Sequence, residues 1–275
     1  MDYTFKNNNV YITGNELFDL EKTFTCGQCF RFNKSEDGKW HGVVADKEII
    51  LWQNHDKIVM EDVSRDEFEN FWYNYFDLDR NYQEINEAFS ANKTLNTALN
   101  YGKGIRILNQ EPWESLCSFI ISQNNNIPRI KGIIDRLCSS FGKKLINSYS
   151  FPSADVIANL TLEDLAPLRS GFRAKYILDA AKKVSLGEIN LEKISKLGSD
   201  EARQELTKIY GVGEKVADCT LLFGMGHIDV CPKDVWIKRA LTVLFDGDFP
   251  KCAIGYAGIA QQYIFYYARE TKLDI

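Results

Sequence analysis

Apolar and polar residues alternate along the first third of the chain. Period-two runs occupy Cys29–Phe32, Trp40–Ala45, Glu48–Trp52 and Ile58–Glu61. Turn-forming sequences separate these runs, at Asp37-Gly38, Asp46-Lys47 and residues 54–56. Short alternating runs between such turns are typical of antiparallel hairpins. The pattern therefore predicts a small antiparallel sheet.

From Ser64 onward the hydrophobic period becomes that of a helix. Phe68, Phe71, Trp72 and Tyr75 form one apolar stripe. Further helices are predicted at residues 83–90, 93–101, 111–123, 126–141, 154–160, 172–186, 199–210, 213–225, 234–245 and 256–270. The expected fold class is α+β, with a small N-terminal antiparallel sheet module followed by a mostly helical body.

The segment from Gly102 to Gln110 is the best candidate for a domain boundary. We expect an N-terminal antiparallel α+β domain at residues 1–105 and a helical domain at residues 106–275. The helices between residues 64 and 105 are compatible with packing on either domain.

Residues 206–239 contain two helical patterns joined by the tight turn Gly211-Val212-Gly213. The glycines allow positive φ and close backbone approach, and the unpaired N–H groups of the second helix suit a phosphate. Lys215 lies in the first turn of that helix. Asp234 follows Pro232 and begins another helical run as its cap. A lysine and a carboxylate that lie at the starts of two helices, beside a phosphate site, can attack and stabilise a sugar carbon.

A plainer interpretation stands beside this one. The G-x-G pattern before a helix is a weak signal, and most first-turn lysines are simply solvated. The hairpin alone does not decide between catalysis and structure.

Composition sets broad limits on the protein class. The 275 residues, 45% of them apolar, are enough for one large or two modest cores. No stretch of about 18 apolar residues and no signal-peptide pattern is present. The seven cysteines are an odd number in a long chain, which favours reduced thiols. We expect a monomeric, cytoplasmic protein without a membrane partner.

The net charge of −5 is unusual for a DNA-binding protein, but it is unevenly distributed. Residues 1–80 carry 16 acidic against nine basic side chains, whereas residues 81–275 carry 22 against 24. A local basic face remains compatible with the second part of the chain. Its candidate members are Arg129, Lys131, Arg173, Lys175, Lys208, Lys215 and Lys238. Composition neither requires nor excludes nucleic acid.

Cys26-Gly27-Gln28-Cys29 is a C-x-x-C sequence, which is also found in metal and redox sites. A zinc site needs about four nitrogen or sulfur ligands. Neither a second C-x-x-C nor a histidine pair follows, so we expect no metal.

The combination G-V-G-x-K-V-A-D (from Gly211) and P-x-D-V (from Pro232) resembles the helix-hairpin-helix DNA glycosylases, specifically a bacterial-type member of the 8-oxoguanine branch. The resemblance implies that Lys215 is the nucleophile and Asp234 its partner. It also implies that Gly211 and Gly213 contact DNA at the hairpin, and that no cofactor is required.

Further motifs of the family have counterparts that would bind the damaged base. Gly27 in G-Q-C-F-R would accept a hydrogen bond from N7–H, which 8-oxoguanine has and guanine lacks. Cys219 and Phe265 would pack on the two faces of the flipped base, and Gln261 would bind its Watson–Crick edge. Without the resemblance, Gly27 is an ordinary turn glycine and Phe265 a core residue.

In proteins of this family, two other segments contact the base opposite 8-oxoguanine. In N-N-N-I-x-R the matching residues are Asn124 and Arg129, and in G-F-R-A-K-Y they are the wedge Phe172 and Arg173. Guanidinium donors suit the acceptor edge of cytosine, although contact with phosphate is a close alternative for either arginine.

The implied activity is that of a bifunctional glycosylase and AP lyase on double-stranded DNA that carries 8-oxoguanine opposite cytosine, at the nucleoid if the protein is bacterial. Three alternatives remain: a monofunctional alkyl-base glycosylase, which does not need Lys215; a non-catalytic helix-hairpin-helix DNA-binding protein; and a structural or interaction protein without affinity for DNA. Two positions depart from the family: Lys233 replaces an apolar residue, and Trp236 replaces a histidine common in eukaryotic members.

Overall fold

The structure, a computed structural model, describes residues 1–14, 18–55 and 57–272. The described strands are β1 (Asp2–Lys6), β2 (Asn9–Thr13), β3 (Phe32–Lys34), β4 (Trp40–Val44), β5 (Lys47–Gln53) and β6 (Lys57–Glu61). The described α-helices are α1 (Leu20–Thr25), α2 (Arg65–Glu67), α3 (Tyr73–Tyr75), α4 (Tyr82–Ser90), α5 (Lys93–Gly102), α6 (Pro112–Ser122), α7 (Ile127–Phe141), α8 (Ala154–Ala158), α9 (Leu162–Leu165), α10 (Arg173–Ser185), α11 (Leu191–Ile194), α12 (Ser199–Leu206), α13 (Glu214–Met225), α14 (Val235–Phe245) and α15 (Ala257–Glu270). The predicted α+β class is confirmed.

The chain divides into two compact units that are discontinuous in sequence. The first unit contains Met1–Gln28, Leu51–Asn109 and His227–Ile275, and the second contains Cys29–Ile50 and Gln110–Gly226. One boundary, at Asn109/Gln110, falls in the segment from 102 to 110. The division into domains at 105/106 stays a prediction.

The strands follow the order β1-β2-β6-β5-β4-β3. The pairs β1/β2, β2/β6 and β3/β4 are antiparallel. The predicted sheet lacked its first hairpin, β1/β2, which turns at Asn7 and Asn8 with φ of 51° and 59°. Consecutive positive φ values at two asparagines are the requirement of a tight hairpin turn, so the Asn run was an available signal.

One predicted strand was wrong in position. Cys29–Phe32 was expected to be extended, but the strand begins only at Phe32 and residues 29–31 are irregular. Arg31 turns inward in this segment, where it pairs with Glu114 at 3.3 Å and donates to the carbonyl of Tyr149. The predicted turn at 54–56 includes Asp56, which lies outside the described residues.

The core of the first unit is rich in aromatic residues. A π-helical segment, Phe68–Trp72, connects α2 to α3 and buries Phe68 and Trp72. Arg106 is also buried and donates to the carbonyls of Phe76 and Asp77. Its guanidinium carbon lies 4.2 Å from the centroid of the Tyr82 ring. Burial of this arginine is tolerated because carbonyl oxygens receive its donors.

The core of the second unit contains the closely packed helices α6 and α13. The Phe119 and Phe223 rings stack at 5.2 Å between centroids. A Cβ on Gly224 would lie 2.8 Å from the Cβ of Ser115, so only glycine permits this approach. The close packing places the start of α13 beside the end of α6.

The longer helices were predicted with small errors at their ends, whereas three short ones were missed. The unpredicted helices are α1, α9 and α11, of six, four and four residues. So few residues do not complete a recognisable 3.6-residue period. The helix predicted for 199–210 ends at Leu206, before the hairpin. Within the described ranges, no helix has the length and apolar character needed to cross a membrane.

Candidate active site

The helix-hairpin-helix lies in the second unit and consists of α12, α13 and the turn that joins them. Gly211 has φ of +82°, and a Cβ there would come within 2.3 Å of the Tyr176 ring. Gly213 is extended (φ −98°, ψ −179°) and caps α13 without a side-chain hydrogen bond. Space around its missing Cβ is open to 4 Å. Gly211 is thus required by the fold, whereas Gly213 leaves the first N–H groups of α13 accessible to an anion.

Lys215 lies in the first turn of α13 and is half-buried. Its Nζ donates to Ser122 Oγ at 3.3 Å and lies 5.4 Å from the centroid of the Phe119 ring. The Ser122 hydroxyl in turn donates to the carbonyl of Phe119 at 2.8 Å. Within the described residues Lys215 has no carboxylate partner, so its amine is held by a neutral hydroxyl and an aromatic face.

Sequence reasoning missed Ser122 as the partner of this lysine. The serine is the last residue of α6, directly before the asparagine run, but 93 positions separate it from Lys215. Cys219, one helical turn beyond Lys215, is buried at 4% exposure.

The asparagine run forms a loop between α6 and α7. Asn126 caps α7, because its Oδ1 accepts from Arg129 N at 3.0 Å. Asn124 is exposed and has φ of +47°. The Arg129 side chain is also exposed. The structure thus brings Asn124 and Arg129 onto one loop and the following first helical turn.

Arg173 is placed differently from Arg129. Only 2% of Arg173 is exposed, and its guanidinium donates to the carbonyls of Gln123, Asn124 and Ser170. Burial, followed by the positive charge of Arg129, lowers the pKa of Arg173 from its ordinary value. Its reading of cytosine stays a prediction, and it requires these carbonyl bonds to be exchanged.

Phe172, the predicted wedge, caps α10 and is 47% exposed. Its ring packs on Tyr176 at 5.6 Å, and Tyr176 packs on Tyr210 at 5.0 Å. This aromatic array leads from Phe172 to Tyr210, which directly precedes the hairpin.

The first unit holds the other predicted residues, beginning with Gly27. Gly27 follows α1 with φ of +86°, a conformation that favours glycine. The adjacent Gln28 side chain is fully buried; it donates to the carbonyls of Thr23 and Arg106 and accepts from Leu108 N. Gln28 therefore anchors the backbone that carries Gly27, a role not predicted from its position in the motif.

Asp234 caps α14 as predicted. Its Oδ1 accepts from Ile237 N at 2.8 Å, which fixes the side-chain rotamer. Its other carboxylate oxygen makes no hydrogen bond within the described residues. Trp236 is 51% exposed beside it. Nothing in the structure explains the lysine at position 233.

Gln261 and Phe265 lie one turn apart on α15. Gln261 is buried at 6% exposure, yet its Oε1 has no hydrogen-bond partner within the described residues. Phe265 is half-buried. A buried amide oxygen without a partner is costly unless a ligand or water satisfies it.

The described part of the chain brings no group of three or more His, Cys, Asp or Glu side chains together as metal ligands. In the C-x-x-C sequence, burial raises the pKa of Cys26 to about 11. This favours the protonated thiol, which is a poor metal ligand.

Comparison with known proteins covers nearly the whole chain. Residues 10–116 match the family 8-oxoguanine DNA glycosylase, N-terminal domain, and residues 117–248 match the HhH-GPD superfamily of base excision DNA repair proteins. The solved structure of MBOgg1 in complex with a low-affinity DNA ligand is 42% identical, covers 99% of this chain and 100% of its own, and has a TM-score of 0.93. The 8-oxoguanine glycosylase/lyase of Clostridium acetobutylicum, solved with double-stranded DNA containing cytosine opposite 8-oxoguanine, is 39% identical with coverage of 99% and 100% and a TM-score of 0.92.

The chain belongs to the 8-oxoguanine DNA glycosylase/lyase family.

Two other known proteins are less similar to this chain than these two enzymes. The N-glycosylase/DNA lyase of Saccharomyces cerevisiae is 34% identical over 213 residues, which are 70% of this chain. The match spans only 57% of the yeast protein. The 3-methyladenine DNA glycosylase of Archaeoglobus fulgidus shares the fold, with a TM-score of 0.76, at 22% identity. Close similarity in both sequence and structure is therefore found with 8-oxoguanine enzymes.

Proposed function

We propose that this protein is a bifunctional DNA glycosylase and AP lyase that excises 8-oxoguanine from double-stranded DNA with Lys215 as the nucleophile. The observation that carries the proposal is the placement of Lys215. Its amine lies at the N-terminal turn of the hairpin helix, held by Ser122 at 3.3 Å and without a carboxylate partner within the described residues. A phosphate held at the hairpin would bring the sugar of its nucleotide to this amine.

The reaction needs no group beyond the side chains of the protein. A stacked nucleotide shields its sugar carbon, so the damaged nucleotide is first flipped out of the duplex. Attack of Lys215 Nζ on C1′ forms a C–N bond while the bond from C1′ to the base breaks, and its electron pair leaves with the base. Nζ passes one proton to the departing base anion, the C1′–O4′ bond then breaks, and O4′ takes a proton from water, which gives a protonated Schiff base between Nζ and C1′. In the lyase step water takes the C2′ proton, the electron pair left behind forms the C2′–C3′ double bond, and the C3′–O bond breaks and releases the 3′ phosphate.

Asp234 is proposed to stabilise the positive charge that develops on the sugar as the base departs. Its cap at Ile237 N fixes the carboxylate, and one oxygen remains without a hydrogen bond among the described residues. A preorganised carboxylate can stabilise such charge without reorganising. The convergence of Lys215 and Asp234 on C1′ is part of the proposal.

Base selectivity is proposed to begin at the carbonyl of Gly27. A fixed carbonyl attracts the N7–H of 8-oxoguanine and repels the N7 lone pair of guanine. Two facing acceptors in a dry pocket cost about 1–3 kcal/mol. The backbone at Gly27 is held by Gln28, whose side-chain amide both donates and accepts hydrogen bonds. The Oε1 of Gln261 has no hydrogen-bond partner among the described residues, which supports a role for Gln261 in binding the edge of the base. Stacking of the base by Cys219 and Phe265 completes the proposed recognition.

The proposed substrate is double-stranded DNA with 8-oxoguanine opposite cytosine. We expect the protein to act as a monomer in the compartment that holds DNA, which is the cytoplasm at the nucleoid if the protein is bacterial. The most informative test is incision of four duplexes, each with one 8-oxoguanine opposite a different normal base. Excision that is absent from all four would reject the substrate assignment.

Borohydride trapping tests the mechanism separately. The protein should form a covalent adduct with 8-oxoguanine DNA, and Lys215→Gln should form none while it still binds the duplex. Lys208→Gln is a matched control, because Lys208 also lies near the hairpin but pairs with Glu205 at 2.6 Å. Asp234→Asn should lose base excision and retain DNA binding. Excision without a trapped species would instead indicate a monofunctional enzyme, and binding without excision would indicate a non-catalytic DNA-binding protein.

A further inference from the structure

A groove lined by basic side chains lies in the second unit, and Lys215 is not among its lining residues. It has a volume of about 520 Å³ and lies between α9, the 3-10 turn Ala166–Leu168 and the N-terminal turn of α10. Arg136, on α7, holds the turn from behind by donating to the carbonyl of Leu168 at 2.9 and 3.0 Å. The groove is thus supported by a fixed backbone.

The charged side chains that line the groove are all basic: Arg129, Arg169 and Lys175. Within the described residues, neither arginine side chain has an ion-pair partner. The nearby carboxylate of Asp164 is already used, because it accepts from the backbone N–H and hydroxyl of Thr161, both at 2.8 Å. Asp164 keeps its negative charge but forms no ion pair with either arginine among the described residues, so both guanidinium groups remain available to an anion.

Ser170 provides an independent sign of a ligand. It lines the groove, only 1% of the residue is exposed, and its Oγ has no hydrogen-bond partner within the described residues. A buried hydroxyl is seldom left in this state unless a ligand or water completes its bonding. The hydroxyl can donate to an anionic oxygen, and the neighbouring guanidinium groups supply the opposite charge.

The position of the groove indicates which anion it takes. Phe172, the exposed wedge, also lines the groove. An aromatic array continues from Phe172 through Tyr176 to Tyr210, next to the hairpin, in steps of 5.6 and 5.0 Å. Phe172, at one end of this array, lines the groove, and Tyr210, at the other end, directly precedes the hairpin glycine Gly211. An aromatic residue inserted into a duplex has one phosphate backbone on each side, and the hairpin with Lys215 takes the backbone of the damaged strand.

We propose that the groove, through Arg169 and Ser170, binds a backbone phosphate of the strand opposite the lesion. This rests on the proposed function, which supplies the duplex. The groove fixes the register of the undamaged strand while Phe172 occupies the stack, and it carries no base information itself. Lys175 contributes less, because its Nζ lies over the Tyr176 and Tyr210 rings, 5.5 and 5.4 Å from their centroids.

The first test measures affinity for a lesion-free duplex over a series of salt concentrations. Arg169→Gln should weaken binding several-fold and reduce the slope of log affinity against log salt by about 0.9, the value for one lost phosphate contact. Ser170→Ala should weaken binding with an unchanged slope and an unchanged unfolding temperature. Lys193→Gln is the matched control, because Lys193 is an exposed lysine of the same unit that does not line the groove. Equal slopes for Arg169→Gln and Lys193→Gln would overturn the proposal.

The second test locates the phosphate. Single methylphosphonate linkages, which are uncharged, are placed in turn along each strand. At one or two positions in the strand opposite the lesion, the methylphosphonate should weaken DNA binding by the wild-type protein. At the same positions it should not weaken DNA binding by Arg169→Gln any further. The same non-additivity in the damaged strand would overturn the strand assignment. Binding of inorganic phosphate by the wild-type protein but not by Arg169→Gln, without any methylphosphonate effect, would show a small-anion site and reject DNA as the ligand.

Both tests use binding alone, so they remain separate from the proposed chemistry. Failure of the wild-type protein to excise 8-oxoguanine would reject the proposed function, while the binding data would still decide the role of the groove.

Discussion

Arg173 donates to the backbone carbonyl of Asn124 at 2.8 Å, although 49 positions separate the two residues in sequence. The same guanidinium also reaches the carbonyls of Gln123 and Ser170. Two segments that face the base opposite the lesion in the proposed complex are thus joined by one buried cation. Their relative position depends on this side chain.

Replacement of Arg173 by Ala should therefore affect both stability and specificity. Three carbonyls lose their donor, which we expect to lower the free energy of unfolding by roughly 1–3 kcal/mol. The loosened Asn124 loop should relax the preference for cytosine opposite the lesion. Thermal unfolding and excision opposite each of the four bases measure the two effects. Arg129→Ala is the comparison, because its exposed side chain should alter preference without altering stability. Unchanged preference in Arg129→Ala would assign Arg129 to phosphate contact.

Ser122 is predicted to position the amine of Lys215. Ser122→Ala removes the hydrogen-bond acceptor and should slow single-turnover excision several-fold, with DNA affinity retained. Ser139→Ala is a matched control, because the Ser139 hydroxyl also donates to the carbonyl three residues earlier, that of Arg136, but has no lysine partner in the described part of the chain. Single-turnover rates and borohydride trapping are the measurements. Equal rates for the two variants would show that Ser122 has no role in positioning.

The two hairpin glycines should respond differently to alanine. At Gly211 a Cβ would meet the Tyr176 ring at 2.3 Å on a backbone with φ of +82°, so Gly211→Ala should lower the free energy of unfolding by about 2 kcal/mol or more. At Gly213 the added methyl group has open space, so stability should change by less than about 0.5 kcal/mol. DNA affinity should nonetheless fall in Gly213→Ala, because the methyl group occupies space proposed for a phosphate. Denaturant unfolding and duplex binding separate the two cases.

Gln28 and Gln261 are both buried glutamines with different states of hydrogen bonding. Gln28→Leu should be destabilising, since Leu108 N and the Arg106 carbonyl lose their partner at about 1–3 kcal/mol for each buried group. Gln261→Met removes an amide oxygen that has no partner, so stability should change little. We expect Gln261→Met to lose affinity for 8-oxoguanine DNA relative to undamaged DNA. If Gln261→Met keeps full lesion preference, Gln261 is a core residue only.

Glu114 should give the protein a measurable dependence of stability on pH. Burial raises the pKa of this carboxyl above its ordinary value, and the nearby Arg31 opposes the shift. Below the ordinary pKa of 4.5, Glu114 is protonated in both the folded and the unfolded chain. As pH rises through this value the unfolded chain ionises first, so the folded state loses relative stability until the folded carboxyl also ionises.

Glu114→Gln cannot ionise, and its free energy of unfolding should fall less than that of the wild type between pH 4.5 and neutrality. Denaturant unfolding at several pH values measures the difference between the two proteins. A parallel pH dependence of both would show that Glu114 does not titrate in this range.

Local patterns in the sequence were enough to predict the α+β class, the longer helices and the glycine turn that joins α12 to α13. Their signals are short-range: a 3.6-residue period, Gly at a turn that needs positive φ, and Asp or Asn at a helix start. Asp234 and Asn126 cap their helices, as their positions before helical runs predicted. Family motifs of the same kind led to the assignment of the candidate nucleophile and base-binding residues.

The tertiary structure alone decided which distant groups meet. Three hydrogen bonds connect residues that are tens of positions apart: Lys215 to Ser122, Arg173 to the carbonyl of Asn124, and Gln28 to the carbonyl of Arg106. The groove around Arg169 likewise brings Arg129 close to residues 162–175. No local period encodes such pairs, because each is set by how helices and loops pack. Burial also changed the interpretation of one side chain: Arg173 carries the donors expected for cytosine, but packing directs them to the protein backbone.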